Sequence, residues 1–332
     1  MALDTMAKSG SAGRLTGIAT LGLLLALAVL PAVAGGLAID KLTTLFVFVL
    51  LAAMWNLLAG YAGLASVGQQ VFFGLGGYFA LRHVDAGIPP YMALLLGACG
   101  AALLAVPLSY FVLRLKGGEF AIAMWVVAEV VRVLVMFDPL IQGETGTSLI
   151  ALNAVDPELR RNLTYWLALG ATTAILGLAY WLLCGRTGAA ARAIRDDEEA
   201  AASLGIRLFR IKQVIFVVAA LGCALAGTIW LSSAITFQPR SAFGVQWTVF
   251  MLFMVLVGGL GTFEGPILGA VLFFVLQELF GDFGVWYLAG LGVIAIAFAQ
   301  LLPEGLWGAI RARTGIDLFP TSSRRRPGSL DP

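Results

Sequence analysis

The chain has 332 residues, 60% hydrophobic and only 12% charged, with a net charge of +2 and a mean hydropathy of +0.93. Soluble domains carry about 25% charged residues, so a water-soluble fold is excluded. Continuous apolar runs near the ~20 residues that cross a bilayer also exclude a β-barrel, whose strands alternate.

Met1 to Arg14 is polar, with Lys8 and Arg14, and Leu15 to Leu37 is apolar. Basic start, apolar middle and the triplet Ala32-Val33-Ala34 resemble a cleavable signal peptide. The apolar run continues past that triplet, however, which favours an uncleaved first span. Further spans are expected at about 42–59, 64–81, 90–113, 119–137, 163–184, 213–234, 245–261, 266–280 and 285–302. The glycine-dense run from Gly60 to Leu81 either crosses, making ten spans, or re-enters, making nine. The chain is thus read as an all-α polytopic membrane protein of about ten helices, with residues 15–302 as the membrane domain. Residues 1–14 and 303–332 are its tails.

Charge distribution tests the count. With ten crossings and the polar insert Gly185–Lys212 inside, 15 of the 21 Lys and Arg residues fall on the inside and five outside, with Arg132 inside a span. That is a clear positive-inside bias, and it makes both tails and the insert cytoplasmic. The Arg324–Arg326 run reads as a topology anchor or lipid-headgroup contact rather than a nucleic-acid patch.

No enzyme signature emerges. The single histidine, His83, rules out paired-histidine zinc motifs, and no lysine follows a glycine, so no phosphate-cradling G-x-x-x-x-G-K-[ST] loop exists. Cys99, Cys184 and Cys223 all fall in apolar segments and read as small filler rather than a disulfide or metal set.

The insert carries six Lys and Arg residues. Asp196 or Asp197 can cap a helix whose first turn holds Glu198 and Glu199, acids favoured there by the helix dipole. Ala200 to Leu204 continue it, and Gly205 can take the left-handed conformation that ends it. The expected product is one docking helix of about two turns, Asp197–Leu204.

Glu199-Ala200-Ala201, three residues, then Gly205 resembles the E-A-A-x-x-x-G coupling pattern of membrane subunits of bacterial ABC importers. Val217 and Val218 depart from its later Leu and Pro. The wider run through Ala193-Ile194-Arg195-Asp196-Asp197-Glu198 to Leu204-Gly205-Ile206 resembles the branched-chain amino acid importer permeases of the LivM and LivH type. Gly60-Tyr61-Ala62-Gly63-Leu64-Ala65-Ser66-Val67-Gly68-Gln69 is similar to that family's early glycine-rich segment. Val257-Gly258-Gly259-Leu260-Gly261-Thr262 with Gly265-Pro266 is similar to its late one.

The resemblance implies an inner-membrane permease with no cofactor of its own, ATP being bound by two partner ATPase subunits. Further implied partners are a homologous second permease, a periplasmic binding protein and membrane lipid, with no nucleic acid. Arg195, Asp196, Asp197, Glu198, Glu199, Ala200, Ala201 and Gly205 would form the ATPase-coupling site. Permeases for urea or short amides share these motifs, and an ion-coupled transporter is a third reading.

Candidate path residues are Ser66, Gln69, Gln70, Gly74, Gly77, Gly259 and Gly261, polar groups and glycines that permit close contact or broken helices. Glu129 and Arg132 lie three apart on one helical face within a span and are expected to pair structurally. The external segment 138–162 and Arg240 are candidate contacts for the binding protein.

Overall fold

The computed structural model describes residues 19–315 together with Gly17, Leu318 and Phe319. The N-terminal tail, 1–14, and Arg324–Arg326 lie outside the described residues. The membrane helices in chain order are α1 (Ala19–Ala32), α2 (Gly36–Asn56), α3 (Gln70–Asp85), α4 (Pro90–Val112), α5 (Gly117–Met136) and α6 (Pro157–Cys184). Two short helices fill the insert, α7 (Arg186–Asp196) and α8 (Glu198–Ser203). After them come α9 (Leu208–Ala234), α10 (Pro239–Ala242), α11 (Gln246–Gly258), α12 (Gly265–Phe280), α13 (Val285–Leu301) and α14 (Gly305–Thr314).

Among the described residues, seven helical segments are long and apolar enough to cross a membrane, and the protein is an all-α polytopic membrane protein. The expected ten is not reached on length and composition alone. Helix α1 is described only from Ala19, α3 has 16 residues, and α5, with 20, carries Glu119, Glu129 and Arg132.

From Leu45 to Trp55 helix α2 is apolar on every side, and it sits centrally, against α6, α9, α11 and α12. Leu50, Leu51 and Met54 are fully buried there. A second packing unit joins α3, α4 and α9 through small residues. A Cβ on Gly97 would lie 2.6 Å from the Ala80 amide, and one on Gly227 would overlap the Phe73 carbonyl. Lipid gives helices no hydrophobic reason to associate, so close backbone approach supplies the contact.

The 28 residues of α6 span about 42 Å at 1.5 Å per residue and define two ends. At its first turn Arg161 pairs with Asp40 at 3.1 Å, and the Tyr91 hydroxyl donates to the Arg160 carbonyl. At its last turn the chain enters α7. Gly60 lies at the α7 end, whereas Arg82 meets Asp138 just beyond α5, at the other end. Residues 60–85 therefore run from one end of the bundle to the other.

They do so as a broken helix. Helix α2 closes in a π-turn, Leu57–Tyr61, residues 63–69 are non-helical, and α3 completes the passage. Non-helical backbone at membrane depth is tolerated where protein covers it, and Leu64, Ser66, Gly68 and Gln69 are all buried.

At the end opposite α7, two loops are zipped by a short antiparallel pair, β1 (Thr147–Ser148) and β2 (Thr236–Phe237). Asp138 is the knot beneath it. Its carboxylate accepts from the Tyr78 hydroxyl at 2.5 Å and the Leu140 amide at 2.9 Å, and pairs with Arg82 at 2.7 Å.

Candidate coupling site and glycine junction

The insert is not one two-turn helix but two helices in tandem. Helix α7, absent from the sequence-based reading, makes a tight corner with α6, where Gly188 lies against the Leu183 carbonyl. Its Gly188, Ala191 and Ile194 are buried. Their i, i+3, i+6 spacing was the available signal, but alanine and glycine carry it weakly. The six residues of α8 are fewer than expected, and Lys212, assigned to the polar loop, lies inside α9.

Asp197 is the cap. Its Oδ1 accepts from the amides of Glu199 at 2.9 Å and Ala200 at 3.0 Å. Gly205, at φ +77°, ends the helix, with Gly205 N–H donating to Ala202 O and Ile206 N–H to Ala201 O. Both bonds belong to a Schellman motif, which needs a left-handed residue at the position of Gly205.

Helix α8 buries Ala201 and turns Glu199, Ala200, Ala202, Ser203 and Leu204 outward. Leu204 is 80% exposed at the tip of a polar loop, a residue the sequence-based set left out. Glu198 points the other way and pairs with Lys212 Nζ at 2.8 Å, the lysine being 94% buried. That pair fastens α8 to α9.

Arg195, with its side chain 36% exposed, also sends its guanidinium inward. Its Nη1 donates to the Gly60 carbonyl at 2.7 Å, while Nε and Nη2 hold Asp196 Oδ1 at 2.9 and 2.8 Å. Gly60 in turn meets the turn between α11 and α12, and a Cβ on it would lie 2.6 Å from the Gly261 amide. Asn56 clasps that turn from both sides, accepting from Gly261 N–H and donating to Thr262 O, each at 2.8 Å. The Thr262 hydroxyl completes it, donating to Gly259 O at 2.7 Å and accepting from Gly265 N–H at 3.1 Å. The two glycine-rich motifs, some 200 residues apart in sequence, therefore form one junction against the insert.

The candidate path residues fall into separate places. Ser66, Gln69 and Gln70 sit together, fully buried, at the start of α3. The Ser66 hydroxyl accepts from Gly68 N–H, and Gln70 Oε1 accepts from Thr248. Neither amide atom of Gln69 has a hydrogen bond of good geometry, although the Cys223 thiol lies beside it.

Gly74 and Gly77 lie farther along α3, under the rings of Phe243 and Phe237. Gly259 and Gly261 belong instead to the junction at the α7 end. Glu129 and Arg132 make the expected pair, Nε to Oε2 at 2.8 Å, part-exposed on the side of α5.

Residues 37–303 match the family model described as the branched-chain amino acid transport system / permease component. The chain is similar to the high-affinity branched-chain amino acid transport system permease protein LivM of Salmonella typhimurium. The two are 29% identical over 296 residues, 81% of this chain and 69% of the relative. The protein of the same name from Escherichia coli matches to the same extent. A probable branched-chain amino acid transport permease protein LivM of Methanocaldococcus jannaschii is 22% identical over 305 residues, 76% of this chain and 87% of the relative.

Proposed function

Since this chain belongs to the family of permease components of branched-chain amino acid transport systems, which is not a family of enzymes, we propose that it is one membrane subunit of a bacterial ABC importer. It passes branched-chain amino acids, delivered by a separate binding protein, across the inner membrane. Two separate ATPase subunits drive it, and a homologous permease completes the path.

One observation carries the coupling part of this reading. Helix α8 is capped at both ends, anchored through Glu198 and Lys212, and presents small residues with one exposed leucine. A short helix gains little stability alone in water, and an exposed apolar residue on such a rigid tip fits a groove in a partner. The basic residues of the insert support a cytoplasmic position for that end, by the positive-inside bias.

The broken helix of residues 60–85 is the kind of element that forms transport sites at mid-membrane. Gln69 is our candidate for contact with the moving substrate, because a buried amide with no hydrogen bond of good geometry is costly unless something uses it. The zipped loops and Arg240 at the opposite end are the candidate surface for the binding protein.

Uptake of labelled leucine and labelled urea, in cells with and without the chain, tests the substrate. Loss of leucine uptake alone supports the reading, and loss of urea uptake alone moves the substrate. Leu204→Asp should abolish co-purification of the ATPase subunits; their retention would remove α8 from the interface.

A further inference from the structure

The resemblance groups Arg195 with the residues that meet the ATPase, but its geometry gives it another task. In a continuous α-helix the Gly60 carbonyl would accept from Leu64 N–H. Here Leu64 N–H donates to Leu58 O at 3.0 Å across the π-turn, which frees the Gly60 carbonyl. Arg195 Nη1 takes that oxygen, so a guanidinium from α7 caps the C-terminal end of a membrane helix, where the helix dipole favours a cation.

The arginine stem continues the contact. A Cβ on Gly63, at φ +70°, would lie 3.3 Å from Arg195 Cα and Cγ. A Cβ on Gly261, at φ +74°, would lie 3.3 Å from Arg195 Nη1 and 3.2 Å from the Gly60 carbonyl. Arg195 therefore touches both chain breaks together, the one that leads into α3 and the one that leads into α12. Other polar ties of the insert reach α9 (Lys212 with Glu198) and α6 (Arg192 to Leu183 O), the helices it is continuous with. Asp196 holds the guanidinium in register.

We propose that Arg195 is the positioning residue that transmits movement of α7–α8 to the glycine junction, rather than a contact of the ATPase. The junction suits that task physically. Gly63, Gly259 and Gly261 hold positive φ angles and reach across with no side chain of their own, so the arginine and the Asn56 clasp bridge the two breaks. The proposal rests on the importer reading above, but its first test does not need transport.

That test is amide exchange in the purified chain. Arg195→Gln should raise exchange about tenfold at residues 60–66 and 260–263 while leaving α8 unchanged, and Arg195→Lys should restore part of the protection. Unchanged exchange at the junction would overturn the proposal whatever the protein transports.

The second test uses the reconstituted importer with its ATPase subunits and binding protein. Arg195→Gln should lower substrate carried per ATP hydrolysed by tenfold or more, with wild-type amounts of ATPase still bound. Loss of ATPase binding would make Arg195 an interface residue, and an equal fall in uptake and hydrolysis would make it merely structural. If the unmodified assembly neither binds an ATPase nor transports, the importer reading fails while the exchange result still judges the arginine.

Discussion

The pair between Glu198 and Lys212 should respond unequally to losing one partner or the other. Lys212 is 94% buried, whereas the Glu198 side chain is 28% exposed. Glu198→Ala leaves an ammonium buried without its counter-charge. Breaking a buried pair this way costs about 3–5 kcal/mol, and we take the low end because the carboxylate is partly in water.

Lys212→Met fills the same space with an apolar chain and leaves a carboxylate that can turn to solvent, at about 0–1 kcal/mol. At 1.4 kcal/mol per factor of ten, Glu198→Ala should speed amide exchange over residues 198–212 by about a hundredfold, and Lys212→Met by less than about fivefold. Glu198 also favours the first turn of α8 through the helix dipole, by about 0.3–1 kcal/mol, too little to create that gap. Exchange monitored by mass spectrometry in nanodiscs reads both variants. Equal effects, or a larger effect from Lys212→Met, would refute the reasoning.

Asp197→Ala removes the acceptor for two amides and should loosen α8 by about 1 kcal/mol, with Asp197→Ser retaining most of the protection in the same exchange experiment. Gly227→Ala places a methyl group inside the Phe73 carbonyl and should abolish monodisperse protein in size-exclusion chromatography. Gly170→Ala in α6 meets nothing within 4 Å and should be neutral or stabilising by up to about 1 kcal/mol, seen as an unchanged or higher melting temperature. At Asp138 burial pushes the carboxyl pKa upward, but the Tyr78 hydroxyl, the Leu140 amide and Arg82 outweigh it and hold it below its usual 3.8. Its contribution to stability is therefore complete above pH 3.8 and is lost as pH falls through the lower folded value. Exchange at residues 138–148 should rise below that pH in the wild type, and Asp138→Asn should remove the dependence.

Composition and apolar run lengths alone determined that the chain is a helical membrane protein, because a bilayer leaves a backbone few other solutions. Local chemistry also narrowed the cap to Asp196 or Asp197, between which the structure chose Asp197, and indicated the Gly205 stop and the pairing of Glu129 with Arg132, since each involves residues within one or two turns. Helix count was harder to read, because a crossing broken at residues 63–69 and a charged α5 carry weaker apolar signals than the continuous spans. Helix α7 escaped notice because alanine and glycine mark a buried face only faintly.

Tertiary structure alone decided the direction of each coupling residue. Arg195 and Glu198 occupy the same polar stretch as Glu199, yet Arg195 Nη1 and the Glu198 carboxylate point inward to the freed carbonyl at Gly60 and the buried ammonium of Lys212. It also separated Gly259 and Gly261 from Gly74 and Gly77, and joined the former to Gly60 through Asn56. No periodicity encodes a contact between residues some 200 positions apart; only the packing of α2 against α11 and α12 brings those backbones together.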